Sequence, residues 1–465
     1  MNDELCFLTA AELADLYRDR DVSPVEVARA TLARIDRLNP VVNALFFVDH
    51  EGALAAARAS EARWGKAEPL SELDGVPATL KDSIPAAGMP IPCGTRAFEG
   101  RIGAEPDAPV TARLREAGAV LLGKTTMPDF GMIASGVSSL HGATRNPWNL
   151  ERNSGGSSSG AGAAVAAGFG ALAVGSDIGG SIRIPAAFCG IVGLKPSYGR
   201  IPLAQPWQAL VAGPMTRSVI DAARMLGQLA KPDARDYTSL PWDARDYLEG
   251  IDAGVRGLRM GLLLDVGFGL TVEPEVRRRI EAAAAVFESL GARVEPMAPM
   301  FDHDPEPDFD RMLQAYAWPE FAELGTDLQA LVMPEIASWC RRGGSMSAAA
   351  LAGAMAAVGE TRRRVVDATR AFDLVLAPTM AIEPYDALLP WPPGGTQHNP
   401  FCFPFNLSEQ PALSICCGLT AGGLPVGLQI IGRRFDDAGV LRAGFSYESA
   451  RPPLPRRPHG MNGAD

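Results

Sequence analysis

Histidine is scarce in this chain: there are five among 465 residues, and His50, His141, His303, His398 and His459 stand outside any recognisable motif. A histidine-driven relay therefore has no evident owner, and the five are expected at the surface or behind the reacting groups. Cysteine is also sparse, seven in all, with no Cys-x-x-Cys spacing and an adjacent Cys416-Cys417 pair. That pattern argues against a disulfide framework and fits buried small thiols in a reducing compartment. No apolar run approaches the ~20 residues that span a bilayer, and the opening MNDELCFLTAAEL has neither the basic nor the apolar segment of a secretion signal. The expected location is cytoplasmic, with no membrane partner. Lys and Arg number 43 against 54 Asp and Glu, a formal net charge of −11, so nothing draws the chain to phosphate backbones and no nucleic-acid partner is expected.

What the chain does have is 47% hydrophobic residues, enough for a large core. Two helix starts are legible: Thr9 with Glu12, and Ser23 with Pro24 and Glu26, both capping-box patterns. Residues 1–60 are thus expected as helices packed on the body. From about residue 70, short apolar runs (76–80, 119–122, 171–175, 191–194, 258–264, 373–377) alternate with helical stretches such as 108–116 and 277–290. This alternation predicts an α/β fold with a large, mostly parallel or mixed sheet covered on both faces. Segments 412–419 and 425–432, joined by Thr-Ala-Gly-Gly, predict a hairpin. A catalytic domain over 61–450 is expected, with 232–370 as a variable helical subdomain or lid within it and a Pro- and Arg-rich tail, 451–465, expected to be disordered.

The most unusual stretch is 153–196, NSGGSSSGAGAAVAAGFGALAVGSDIGGSIRIPAAFCGIVGLKP. A flexible linker would look similar, but an Ala/Val helix and an apolar strand interrupt the run and pin both glycine turns. The second turn, Asp177-Ile178-Gly179-Gly180-Ser181, can present successive backbone N–H groups, the donor nest that a tetrahedral oxyanion requires. Ser181 stands at its mouth and needs a base. Lysine can replace histidine where burial lowers its pKa, and Lys81 ends a buried apolar run.

At these positions the sequence closely resembles the amidase-signature family. The resemblance rests on Gly75-Val-Pro-Ala-Thr-Leu-Lys81-Asp82, Asn146-Pro-Trp-Asn149, Gly155-Gly-Ser-Ser158, Asp177-Ile-Gly-Gly-Ser-Ile-Arg-Ile-Pro185, Gly193-Leu-Lys-Pro196, Gly213-Pro-Met-Thr-Arg217, Ala377-Pro-Thr379 and Leu424-Pro-Val-Gly-Leu-Gln429. It implies an α/β/α sandwich and a triad of Lys81, Ser157 behind a cis peptide bond, and the nucleophile Ser181. It further implies an oxyanion hole from the N–H groups of Ile178, Gly179, Gly180 and Ser181, with Ser158, Asp177 and Arg183 supporting that loop. By analogy the pocket walls are 127–139, 205–212, 300–370 and 391–405, with Met132, Ser135, Gly136, Phe401 and Phe403 as candidate substrate contacts. Glu409, where a glycine is common, and Cys416-Cys417-Gly418, where a proline usually precedes glycine, depart from the pattern and bear on pocket shape.

The implied activity is hydrolysis of a small-molecule apolar or aryl amide, ester or carbamate without metal or cofactor, by a monomer or homodimer. Four rivals are weaker. Gly118-Ala-Val-Leu-Leu-Gly-Lys124-Thr125, with Asp265 as metal-binding acid, satisfies a P-loop pattern, but its four intervening residues read as a strand. Cys189 has apolar neighbours and no accompanying base. A glutaminase subunit of a tRNA-dependent amidotransferase would, by the resemblance, carry a tyrosine-rich segment in 300–370, which is missing. A non-catalytic binding protein would not need Lys81, Ser157 and Ser181 together.

Overall fold

A computed structural model describes residues 3–103, 106–393, 395 and 399–461; His398 lies outside them. Eleven strands form one sheet: β1 (Leu45–Val48), β2 (Pro77–Lys81), β3 (Val120–Thr125), β4 (Leu172–Asp177), β5 (Val192–Lys195), β6 (Val211–Thr216), β7 (Arg259–Leu262), β8 (Arg293–Pro296), β9 (Leu374–Pro378), β10 (Ala412–Leu419) and β11 (Pro425–Gly432). Their spatial order is β1-β3-β2-β4-β6-β5-β10-β11-β9-β7-β8. The sheet is mixed, as expected: β3, β2 and β4 run parallel, as do β9, β7 and β8, while β4 through β11 alternate in direction.

Both faces are covered, and the strands show it residue by residue. Leu172 and Val174 of β4 join one core with Leu226 and Leu229 of helix Val219–Leu229, Ile280 and Phe287 of helix Pro274–Ser289, and Leu441 of helix Asp437–Ala450. The intervening Ala173 joins a second core with helices Ser159–Ala167 and Arg183–Cys189. Successive side chains on a strand point to opposite faces, so one sheet supports two cores.

Both opening helices, Ala10–Asp19 and Pro24–Val42, carry the reciprocal capping boxes foreseen, with Glu12 and Glu26 returning to the Thr9 and Ser23 backbones. Two glycines of 153–196 serve packing of main chain on main chain. A Cβ on Gly160 would stand 2.2 Å from the Ala44 carbonyl oxygen and 2.4 Å from the Thr126 nitrogen, and one on Gly156 would stand 2.3 Å from the Ser135 oxygen. They let backbone approach backbone, bringing the Ser157 turn against the ends of β2 and β3.

Several expectations need correction. Residues 1–60 supply not only helices but the edge strand β1, paired antiparallel to β3. The segment 232–370 holds β7 and β8 with helix Pro274–Ser289 between them, so the helical excursion is confined to Glu306–Ala322, Thr326–Gln329, Pro334–Gly344 and Ala348–Thr369. Sheet pairing, absent from an amphipathic count, claims the rest. The tail packs as far as Met461, which is 4% exposed in the second core; Arg456 pairs with Glu12 at 2.9 Å and His459 meets the Trp148 ring edge-on at 5.5 Å. Arg456 and Arg457 have acidic partners in the amino-terminal segment, Glu12 and Glu4, which a composition argument does not see. Residues 462–465 lie outside the described residues.

Gly160→Ala should lower stability by about 2–3 kcal/mol, because the new methyl meets backbone that cannot rotate away. Urea unfolding should show this as a lower midpoint at unchanged slope.

Candidate active site

The parallel set β2, β3 and β4 ends on one edge of the sheet, and the antiparallel β6 begins there, with Val211 opposite Asp177. Lys81 is the last residue of β2 and Asp177 the last of β4, so strand register brings the 81 and 178–181 segments together, and the turn before helix Ser159–Ala167 adds Ser157, tied in by the Gly160 N–H on the Thr126 carbonyl at 3.0 Å. Lys81 is 1% exposed, Ser157 3% and Ser181 9%, and all three line a single cavity of about 530 Å³. Exposure therefore rises from the amine outward to Ser181.

Lys81 Nζ donates to Ser157 Oγ at 2.8 Å and to Ser176 Oγ at 3.0 Å. Burial removes the solvation of its charged form and pushes its pKa down to about 7, against the opposing pull of Asp177 and Asp82. A sizeable neutral fraction at neutral pH makes this amine a competent proton acceptor. Ser176 belongs to no motif read above; its only signal is its place one residue before Asp177 at a strand end. The Gly156-Ser157 peptide is cis, as the resemblance implied.

The turn after β4 is held by one buried carboxylate. Asp177 accepts from the Gly180 N–H at 2.7 Å and the Ile182 N–H at 3.1 Å, and takes Arg183 in a two-pronged pair at 2.9 and 3.0 Å. Burial alone would raise this carboxyl, but the Arg183 guanidinium holds it well below the usual carboxylate range. Arg183 in turn donates to the Cys402 carbonyl and to Gln429 Oε1, while Asn406 Nδ2 donates to Asp177 Oδ1 at 2.8 Å. The Ser158 N–H donates to the Ser181 carbonyl at 3.1 Å and its hydroxyl to the Ser176 carbonyl at 3.2 Å, tying the two serine segments together. Of the four N–H groups expected to face an oxyanion, that of Gly180 is thus committed to Asp177. Those of Ile178, Gly179 and Ser181 are left for that role.

Among the candidate substrate contacts, Met132 lines the cavity and the other four do not. Ser135 is buried, accepting from Asn153 Nδ2 at 2.9 Å and donating to the Leu389 carbonyl at 3.0 Å; Gly136 donates to Asn153 Oδ1. Phe401 belongs to the main core, and Phe403 stacks on Phe309 at 4.9 Å. The run 391–405, expected as a wall, places these two phenylalanines in the core. Of the expected walls, 127–132, 205–212 and Glu320 from 300–370 contribute, and further wall comes from 83–85, 91–93, 101–102, 106–110 and 202–204, together with Arg235. Of the added segments, 83–85 follows directly on the Lys81-Asp82 motif, whereas no quoted motif adjoins 91–93, 101–102 or 106–110.

The rival sites dissolve. The P-loop pattern spans strand β3, and Lys124 is fully buried against backbone carbonyls. Cys189 is a core thiol whose pKa burial raises. Glu409 adopts a left-handed φ of 64°, which explains why glycine suits this position, and pairs with Arg362 at 3.0 Å.

Removing the Asp177 carboxylate leaves Arg183 charged and uncompensated in the core. Asp177→Ala should therefore cost about 3–5 kcal/mol in chemical denaturation, whereas breaking the exposed Arg277–Glu281 pair should cost under about 1 kcal/mol.

Comparisons with known proteins point to one family. The Amidase family model matches residues 26–441. The chain is 38% identical to a glutamyl-tRNA(Gln) amidotransferase subunit of Myxococcus xanthus, covering 96% of this chain and 97% of that one. It is 35% identical to an acylamidase of Rhodococcus erythropolis, covering 98% of each. A solved bacterial aryl acylamidase of the amidase signature family superposes with a TM-score of 0.88 at 32% identity, covering 96% of each chain.

Proposed function

The chain belongs to the amidase-signature family of hydrolases acting on amides, and from that premise we propose that it cleaves small apolar or aryl amides through an acyl-enzyme on Ser181. The observation that carries the proposal is the 2.8 Å hydrogen bond between a desolvated Lys81 and Ser157, in the same cavity as Ser181. Neutral Lys81 takes the Ser157 proton as Ser157 takes that of Ser181, whose oxygen attacks the carbonyl carbon. The N–H groups of Ile178, Gly179 and Ser181 stabilise the oxyanion. Ser157 then delivers the proton to the departing nitrogen, and water reverses the relay to release the acid.

The cavity supports an apolar substrate. Ile84, Ile91, Ile102, Val110, Met132, Trp207 and Leu210 line it, and its two arginines are already neutralised. Arg101 pairs with Glu320 at 2.8 Å and Arg235 with Asp233 at 2.7 Å. A substrate carboxylate would have to displace an acid already in place. Esters and carbamates that form the same tetrahedral intermediate fall within the same reach.

The similarity to an amidotransferase favours a second reading, glutaminase activity in a multisubunit enzyme. A hydrolysis panel of anilide, aliphatic amide, aryl ester, carbamate and glutamine separates the two: turnover of glutamine alone, and only with partner proteins, would overturn the apolar-amide proposal. Ser181→Ala should cut kcat by at least about 1,000-fold. Because the relay needs a neutral amine, kcat/KM on an uncharged substrate should rise with pH through about 7 and be lost below it. Glu320→Gln frees Arg101, and should raise kcat/KM for a carboxylate-bearing amide about fivefold relative to its neutral analogue.

A further inference from the structure

The lysine of the P-loop-like segment has no place in the relay, yet it is as deeply buried as Lys81. Lys124 Nζ donates to the Asp82 carbonyl at 2.9 Å and to the Ile84 carbonyl, the two residues flanking Ser83 directly after Lys81. Ser83 and Ile84 are cavity wall. The Asp82 carboxylate, itself fully buried, receives the N–H groups of Cys93 at 2.9 Å and Gly94 at 2.6 Å. The ammonium thereby ties the segment after β2 to β3, and the carboxylate ties it to the 93–94 turn.

We propose that Lys124 is a positioning residue for the reaction: it fixes the backbone just beyond Lys81, keeps water from the Lys81 amine, and offsets the Asp82 charge beside it. The inference rests on Lys81 acting as the base. Register explains the need for it. Lys124 lies opposite Leu80 and Thr125 opposite Lys81; the Asp82 N–H still reaches the Thr125 carbonyl at 3.0 Å, and beyond that last backbone bond to β3 the side chain of Lys124 holds the Asp82 and Ile84 carbonyls.

The electrostatics has a definite sign. The charged or ionisable groups around Lys81 are Asp177, Asp82 and Cys93, and those around Lys124 are Asp82 and Cys93. His141 lies 3.8 Å from Asp82, and Arg101 also feels that carboxylate. Burial lowers the Lys124 pKa to about 8, so at neutral pH it is mainly the cation. Burial raises the Cys93 thiol, which stays neutral. Removing the Lys124 charge unmasks Asp82 and admits water to Lys81. Both effects favour protonated Lys81 and act in the same direction.

The test is the pH profile of kcat/KM on whichever neutral panel substrate the full-length protein hydrolyses, with Lys81→Met run in parallel. Lys124→Met should move the acid limb up by about one pH unit and cut the rate at pH 7 about fivefold with KM little changed. Lys124→Arg should return the limb toward its original position, and Asp82→Asn should move it down. A folded Lys124→Met with an unmoved limb overturns the proposal. If that variant does not fold, an unmoved or upward-shifted limb in Asp82→Asn does so instead. An active Lys81→Met overturns the base assignment itself, whereas an inactive Lys81→Met beside an unmoved limb overturns only the role of Lys124.

Discussion

A lysine can take a proton only while it is neutral, and it is neutral near pH 7 only where water is kept from it. Lys81 meets that condition by closing a parallel strand whose five residues are all buried. The rest of the site follows from making this tolerable. An amine in the interior needs hydrogen-bond acceptors that carry no charge, and two serine hydroxyls provide them, Ser157 from the turn before helix Ser159–Ala167 and Ser176 from the neighbouring strand. Carboxylates in direct contact would restore the proton and abolish the base.

Two carboxylates nevertheless stand nearby, and each is matched by a buried cation. Asp177 is held by Arg183 and Asn406, and Asp82 faces Lys124. Asp177 organises the turn that carries Ser181 and draws in the Gly180 N–H; Asp82 anchors the 93–94 turn. The acids order backbone, and their cations limit how far they pull Lys81 back toward its charged form. Buried ion pairs are a weak source of net stability, so the geometry they impose on the turns is the better account of their presence.

Much of this is legible in the sequence because strand ends and turns leave local marks. Two capping boxes, six apolar runs and the 412–432 hairpin correspond to elements of the structure. β6 does not stand out, because Gly213 and Pro214 sit inside it and both argue against a central strand. The structure accommodates them by pairing β6 fully with β4 while confining its ladder with β5 to Met215 and Thr216. Ser176 and Lys124 are hidden for another reason: each acts through the strand beside it, and lateral partners leave no trace in a single chain.

The cavity walls are the least legible part, and the cause lies in the architecture. Of the proposed reacting groups, Lys81 ends one strand and Ser181 lies in the turn that follows its neighbour, while Ser157 comes from the turn before a helix. The walls come from 83–85, 91–93, 101–102, 106–110, 127–132 and 202–212, joined by one acid from helix Glu306–Ala322. Most of these residues lie in the connections between helices and sheet strands, and Arg101 and Glu320 meet across more than two hundred residues. A wall of this kind can change residue by residue while the strands beneath it keep their register.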